Sequence, residues 1–137
     1  MDIEARIRDS FARQGMMTTL GATLGDITPG AVTISAPILP TASQQQGFGH
    51  AALTFAIGDS AGGYSALTLM EPDHEVLTAE IKINLLAPAM GKRLIARGRV
   101  VKPGRRLVVI QSEVFAETDA GEKQIALLTG TMVPVAL

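Results

Sequence analysis

The chain has 137 residues, a formal net charge of −1, and no cysteine, so disulfides, thiol catalysis and thiolate metal sites are excluded. Its length predicts one domain, residues 1–137, and its near-neutral charge offers no basic field for nucleic acid. Hydrophobic residues make up 47% of the chain and aromatic residues only 4%, which predicts a core of small aliphatic side chains. No spacing of histidine and carboxylate residues predicts a metal site.

The N-terminal segment predicts a short helix followed by a β-hairpin. Apolar residues recur every three to four positions from Asp2 to about Arg13, which is typical of an amphipathic helix, and Gly15 ends it. Two strand-like runs, 19–26 and 31–38, are joined by the turn signal at 28–30. The segment lacks the apolar core of a signal peptide, so a cytoplasmic protein is expected.

Residues 49–70 form a long apolar run, GHAALTFAIGDSAGGYSALTLM, which predicts a helix that is buried on most sides. Asp59 lies near the middle of this run, and burial of its carboxylate is costly unless an interaction partner or a function retains it there. A transmembrane span is the alternative, but Asp59, His50 and several small polar residues count against it. A further alternative makes Asp59 and Ser60 the N-terminal cap of a second helix after a break.

After Pro72 the hydrophobic period changes from helical to two, which predicts four consecutive antiparallel strands. These are Val76–Leu86, Arg93–Lys102, Leu107–Glu117 and Lys123–Val133. In the first of them Thr78 falls on the polar face with Glu80 and Lys82. The expected fold is therefore α+β.

One long helix can pack under six strands only if the sheet curls around it, and this arrangement is the hotdog fold. Such a sheet has two edge strands with unpaired backbone groups, which pairing with a second copy would cover. A homodimer is expected, and two dimers are expected to associate into a homotetramer.

Two short segments carry a resemblance to a known family. Residues 47–52, Gly-Phe-Gly-His-Ala-Ala, and residues 57–61, Ile-Gly-Asp-Ser-Ala, resemble the signature of the PaaI-type (phenylacetic acid degradation-related) acyl-CoA thioesterases. That signature has a loop Asn, a Gly, then His-Gly-Gly, and an acidic residue nine positions after the His. Here Asp59 follows His50 by nine, Gln44 stands in the place of the Asn, and two alanines replace the two glycines.

The spacing itself limits where a reaction could occur. Nine residues of α-helix span about 13 Å and place His50 and Asp59 on opposite faces. If both belong to one site, two subunits must share it, with His50 and its loop from one and Asp59 from the other. The resemblance implies the same shared site.

The resemblance implies hydrolysis of an acyl-CoA thioester, with coenzyme A as part of the substrate and no separate cofactor. Asp59 would activate water as a general base or attack the thioester itself, and backbone N–H groups near Ala51 would hold the oxyanion. Gln44 would orient the water or the carbonyl group. His50 is either a base or the structural start of the helix, and Thr78 is either a site residue or an ordinary solvated threonine.

A basic cluster of Lys102, Arg105 and Arg106 could grip the phosphates of coenzyme A, with Gly47 as a further contact in the loop. The alternative is a plain charged hairpin tip. Two other functions remain open, a hotdog dehydratase or hydratase and a non-catalytic acyl-CoA-binding module. The acyl group could be an aryl group or a medium aliphatic chain.

Overall fold

The computed structural model describes residues 2–136 as one antiparallel sheet and three α-helices. The elements in chain order are α1 (Ile3–Arg13), α2 (Gly15–Thr19), β1 (Thr23–Thr28), β2 (Ala31–Pro37), a short 3-10 turn (Pro40–Ala42), α3 (Ala51–Leu67), β3 (His74–Leu85), β4 (Arg93–Lys102), β5 (Val108–Thr118) and β6 (Gly121–Ala136). Pro88 follows β3 and Pro103 follows β4, so proline ends both strands close to where the sequence predicts.

The six strands lie in the order β1-β2-β4-β5-β6-β3, which leaves β1 and β3 at the two edges. Every neighbouring pair is antiparallel, and α3 packs against the five strands from β2 to β6. The predicted hotdog fold, a curved sheet around a central helix, is confirmed.

The helix α3 lies so close to the sheet that glycine is required between them. A Cβ atom added to Gly98 on β4 would lie 2.3 Å from the carbonyl carbon of Ala61 and 2.5 Å from the backbone nitrogen of Gly62. Around this point the second half of α3 is buried on all sides, which explains why its sequence has no polar stripe.

The C-terminal end of α3 is closed by a side chain from the N-terminal helix. The Arg6 guanidinium donates hydrogen bonds to the backbone carbonyls of Met70 at 3.0 Å and Glu71 at 2.9 Å, and also reaches those of Leu67 and His74. Carbonyls at a helix end lack partners within the helix, so this contact satisfies them and ties α1 to the start of β3.

The structure differs from the prediction in the segment that follows α1. Gly15 begins a second helix, α2, instead of ending the helical part of the N-terminal segment. The predicted strand at 19–26 begins only at Thr23, because α2 occupies the preceding residues. Met17 is buried in the core with 1% of its surface exposed, and this tertiary contact stabilises a helix too short to predict from its own sequence.

The strand β3 contains a β-bulge, and the predicted orientation of Thr78 is therefore wrong. Thr78 pairs with Met132 and Glu80 pairs with Thr131, which leaves Ala79 as an extra residue. One extra residue reverses the alternation of side chains. Thr78 consequently points toward α3, rather than to the polar face with the charged residues that follow it.

Candidate active site

Asp59 and Thr78 form the first of two clusters of predicted site residues. The Thr78 hydroxyl donates a hydrogen bond of 2.7 Å to Oδ1 of Asp59, and this contact joins α3 to the edge strand β3. Partial burial raises the pKa of the Asp59 carboxyl above its ordinary value, while the hydrogen bond from Thr78 acts in the opposite direction and has the smaller effect. A carboxyl group with these properties suits proton transfer.

A cavity of about 320 Å³ lies beside Asp59, and its other wall comes from the N-terminal helices. The Tyr64 hydroxyl accepts a hydrogen bond of 2.9 Å from Nε2 of Gln14, and Oε1 of Gln14 accepts one of 3.0 Å from the Ser60 hydroxyl. Sequence reasoning missed Gln14 and Tyr64, and it named Ser60 only within the motif at 57–61 and as a possible helix cap. The contacts among these residues span 46 to 50 positions, so no local pattern could have indicated them.

Gln44 belongs to the second cluster, which lies near the N-terminus of α3. Its side-chain oxygen accepts hydrogen bonds from the backbone N–H groups of Gln46 at 2.6 Å and Phe48 at 3.2 Å, so it holds the loop in shape. Gly47 has φ +89°, a backbone conformation that favours glycine. The structure thus gives Gln44 and Gly47 a role in shaping the loop before α3.

His50 and Ala51 complete this second cluster at the N-terminus of α3. Nδ1 of His50 accepts a hydrogen bond of 2.8 Å from the N–H of Ala52, so His50 is the capping residue. Within residues 2–136 the N–H of Ala51 has no hydrogen-bond acceptor. Ala51 and Gln44 line the same cavity, of about 440 Å³. An N–H group at a helix N-terminus attracts negative charge.

The two clusters do not meet within one chain. Ala51 and Asp59 are eight helical residues apart, which corresponds to about 12 Å, and they line different cavities. The structure therefore brings Asp59 together with Thr78, and Gln44 together with His50 and Ala51, but it does not join the two groups.

The predicted phosphate-binding residues lie elsewhere, at the turn between β4 and β5. Arg105 and Arg106 line a groove of about 700 Å³ together with His74 and Glu71, whereas Lys102 does not line it. Among the described residues neither arginine forms an ion pair.

Replacing Thr78 with valine is expected to raise the pKa of Asp59 further, because the variant removes the hydrogen bond that favours the ionised carboxylate while keeping the side-chain shape. A carbon-13 NMR titration of the Asp59 side-chain carboxyl would measure the shift. The matched control is Thr131→Val on β6, whose hydroxyl donates to Glu80 at 2.9 Å. Equal pKa values for Asp59 in both variants would contradict the assigned role of Thr78.

Within residues 2–136, no helix is long and apolar enough to cross a membrane. No group of three or more histidine, aspartate or glutamate residues in the same range could hold a metal ion.

Comparison with curated proteins finds a Saccharolobus solfataricus protein, SSO1253, that is named as a candidate esterase. It is 33% identical over 84 residues, which are 61% of this chain and 53% of that protein. The match thus spans about half the length of this relative.

Comparison with solved structures finds close similarity over nearly the whole chain. A thioesterase family protein from Silicibacter pomeroyi is 43% identical with a TM-score of 0.96, and the match covers 98% of this chain and 99% of the other. The PaaI protein of Escherichia coli, from the phenylacetic acid degradation operon, is 16% identical with a TM-score of 0.86, covering 98% and 94%. The model of the Thioesterase superfamily matches residues 46–123, more than half of the sequence. The chain therefore belongs to the Thioesterase superfamily.

Proposed function

We propose that this protein hydrolyses the thioester bond of an acyl-CoA at a site shared between two subunits. The observation that carries the proposal is the pair of separated clusters on α3, a partly buried carboxyl at Asp59 and an N–H group at Ala51 that has no acceptor among residues 2–136. Thioester hydrolysis needs both a group that activates or replaces water and a donor for the oxyanion. Membership of the superfamily supports the same reaction class.

In the proposed reaction the thioester carbonyl oxygen receives a hydrogen bond from the N–H of Ala51. The dipole of α3 adds to the stabilisation of the negative charge that develops there. The ionised carboxylate of Asp59 either takes a proton from the attacking water or attacks the carbonyl carbon itself. The carbon–sulfur bond then breaks, the coenzyme A thiolate leaves, and water supplies the proton and the hydroxyl group of the products.

Two subunits would complete each site, because Ala51 and Asp59 of one chain are about 12 Å apart along the helix. A partner could approach from the side where β3 forms an edge of the sheet, since the contact between Asp59 and Thr78 places the carboxyl beside that edge. A homodimer, and a further association of two dimers, are thus part of the proposal.

Variants of a solved relative add support for the proposal that Gln44 and Asp59 act in the same reaction. In SAV0944 from Staphylococcus aureus, a thioesterase about one-fifth identical to this chain, a glutamine and a glutamate fifteen positions apart were each replaced by alanine. Gln44 and Asp59 are also fifteen positions apart. We propose that Gln44 orients the thioester carbonyl or the water, while His50 positions the first turn of α3.

Substrate binding extends the proposal beyond the reacting atoms. The substrate would be an aryl- or medium-chain acyl-CoA, with Arg105 and Arg106 holding the coenzyme A phosphates, Lys102 adding positive charge nearby in the chain, and Gly47 in the loop near the thioester. Arg105 and Arg106 line one groove and could contact one phosphate group together.

The variant Ala51→Pro tests the oxyanion donor. Proline is favoured at the first position of a helix, and the preceding residue His50 has the extended conformation that proline requires, with φ −65° and ψ 147°. The variant therefore removes one N–H group while keeping the helix. The expected loss in kcat is about 10² to 10³-fold, measured as release of coenzyme A thiol at unchanged thermal stability. Wild-type kcat would overturn the role of Ala51.

Subunit mixing tests whether the site is shared. Ala51→Pro and Asp59→Asn should each be nearly inactive as homodimers. A mixed dimer has one site with both defects and one site with neither, so random mixing should restore about a quarter of wild-type activity. An active site contained within one chain would give no recovery on mixing.

A further inference from the structure

We propose that Arg6 is a positioning residue for the nucleotide end of coenzyme A, because it fixes from behind one wall of the groove that Arg105 and Arg106 line. The inference rests on the proposed function, in which these two arginines hold the coenzyme A phosphates. It adds a residue of the N-terminal helix that acts on the substrate only through the wall of the groove.

The groove of about 700 Å³ has two walls that come from different parts of the chain. One wall is the turn between β4 and β5, which carries the two arginines. The other wall is the segment between α3 and β3, which contributes Leu69, Met70, Glu71 and His74. Within residues 2–136 no backbone hydrogen bond joins the two walls. The width of the groove therefore depends on how firmly the rest of the fold holds each wall.

The second wall, residues 69–73 and the start of β3, is held to the rest of the fold by Arg6. The guanidinium donates hydrogen bonds to the carbonyl oxygens of Met70 at 3.0 Å and Glu71 at 2.9 Å, and it reaches one further carbonyl group on each side of them. The other backbone hydrogen bonds of residues 69–73 span only three positions along the chain. In the described part of the chain, Arg6 is thus the one residue distant in sequence that hydrogen-bonds to this segment.

The contact depends on the shape of the arginine side chain as well as on its charge. A guanidinium presents its N–H donors in a rigid planar fork, whereas a lysine ammonium is a compact charge with three donors on one atom. None of the ion pairs among residues 2–136 includes Arg6, so its donors serve the backbone carbonyls. A lysine at this position would keep the positive charge and lose part of the hydrogen bonding.

The same N-terminal helix also lines the cavity beside Asp59. Ser10, about one turn after Arg6 on α1, belongs to that cavity, and so does Glu75, which follows His74 of the groove on β3. The cavity and the groove thus meet at neighbouring residues of β3, and α3 ends about 12 Å beyond Asp59. This spacing suits the extended pantetheine arm of coenzyme A, with the thioester at Asp59 and the phosphates in the groove.

Kinetics with two substrates test the role of Arg6. Arg6→Lys should raise KM for the acyl-CoA by about tenfold, the effect of losing one hydrogen bond to a charged group, with kcat unchanged. With the acyl-pantetheine thioester of the same acyl group, which lacks the nucleotide and its phosphates, kcat and KM should equal those of the wild type. A general loss of stability would affect both substrates alike. Arg8→Lys, at an exposed arginine of the same helix that pairs with Glu4, is the matched control and should leave both KM values unchanged.

A binding measurement separates this inference from the proposed function. Titration calorimetry with adenosine 3′,5′-bisphosphate should show about tenfold weaker binding to Arg6→Lys than to the wild type. In an Arg105→Gln background the same change should have a smaller effect, because the wall then has less to hold a phosphate against. Equal nucleotide affinity in wild type and Arg6→Lys, no binding by the wild type, or an equal rise in KM for both substrates would overturn the inference. Binding that depends on Arg6 in a protein that hydrolyses no acyl-CoA would keep the inference and overturn the proposed function, and hydrolysis with an unchanged KM in Arg6→Lys would do the reverse.

Discussion

Replacing Asp59 with asparagine is expected to lower kcat by about 10² to 10⁴-fold, the range for loss of a catalytic acid–base group, with little change in KM. Asparagine keeps the size of the side chain but cannot accept a proton from water or form an acyl intermediate as a carboxylate could. The measurement is thiol release from a panel of aryl- and aliphatic acyl-CoAs, with wild type and variant side by side. The best substrate would also identify the acyl group.

The stability of this variant separates catalysis from folding. Burial raises the pKa of Asp59, so the stability contributed by its protonated form is present at low pH and is lost as pH rises through the folded-state pKa. A neutral asparagine avoids the cost of the buried charge, and the melting temperature near neutral pH should not fall. Asp119→Asn, at an exposed carboxylate beside Lys92, is the matched control and should retain wild-type kcat. Full activity of Asp59→Asn would remove Asp59 from the mechanism.

The largest loss of stability is expected for Gly98→Ala. The added Cβ would lie 2.3 Å from the carbonyl carbon and oxygen of Ala61, and these are backbone atoms of a helix packed on all sides. Overpacking of a core typically costs about 1 to 3 kcal/mol even when side chains can move. Here α3 itself would have to shift, so we expect a loss of about 3 kcal/mol or more. Urea denaturation followed by circular dichroism would measure it.

Gly63→Ala is the matched control, since an added Cβ there meets only Sδ of Met132, at 3.9 Å. Alanine is favoured over glycine within a helix by about 0.5 to 1 kcal/mol. Gly63→Ala should therefore be neutral or stabilising. If Gly98→Ala unfolded with the same free energy as Gly63→Ala, the close approach of β4 to α3 would not require glycine at position 98.

The sequence predicted the fold well because its signals are local. The change from a helical period to a period of two at Pro72 separates α3 from the strands, and proline or glycine marks most of the turns. The nine-residue spacing of His50 and Asp59 is likewise a local feature, and Ala51, which follows His50, lines a different cavity from Asp59. These features depend on residues near one another in the chain.

Features that depend on contacts between residues far apart in the sequence could not be predicted in this way. The contacts of Gln14 with Ser60 and Tyr64 join the N-terminal helices to α3, and no pattern within either segment indicates them. The helix α2 forms because Met17 is buried, although five residues are too few to predict a helix. The orientation of Thr78 depends on pairing with β6, so strict alternation along β3 gave the wrong face.

The bulge at Ala79 has a consequence for how this site can change during evolution. Thr78 reaches Asp59 because β3 has one more residue than β6 at this point, and not only because residue 78 is a threonine. Substitutions can alter the hydroxyl, but an insertion or deletion in either strand would change which residue faces the carboxyl. When relatives are compared, the partner of this aspartate must therefore be located by strand register, because its position in a gapless alignment can be one residue out.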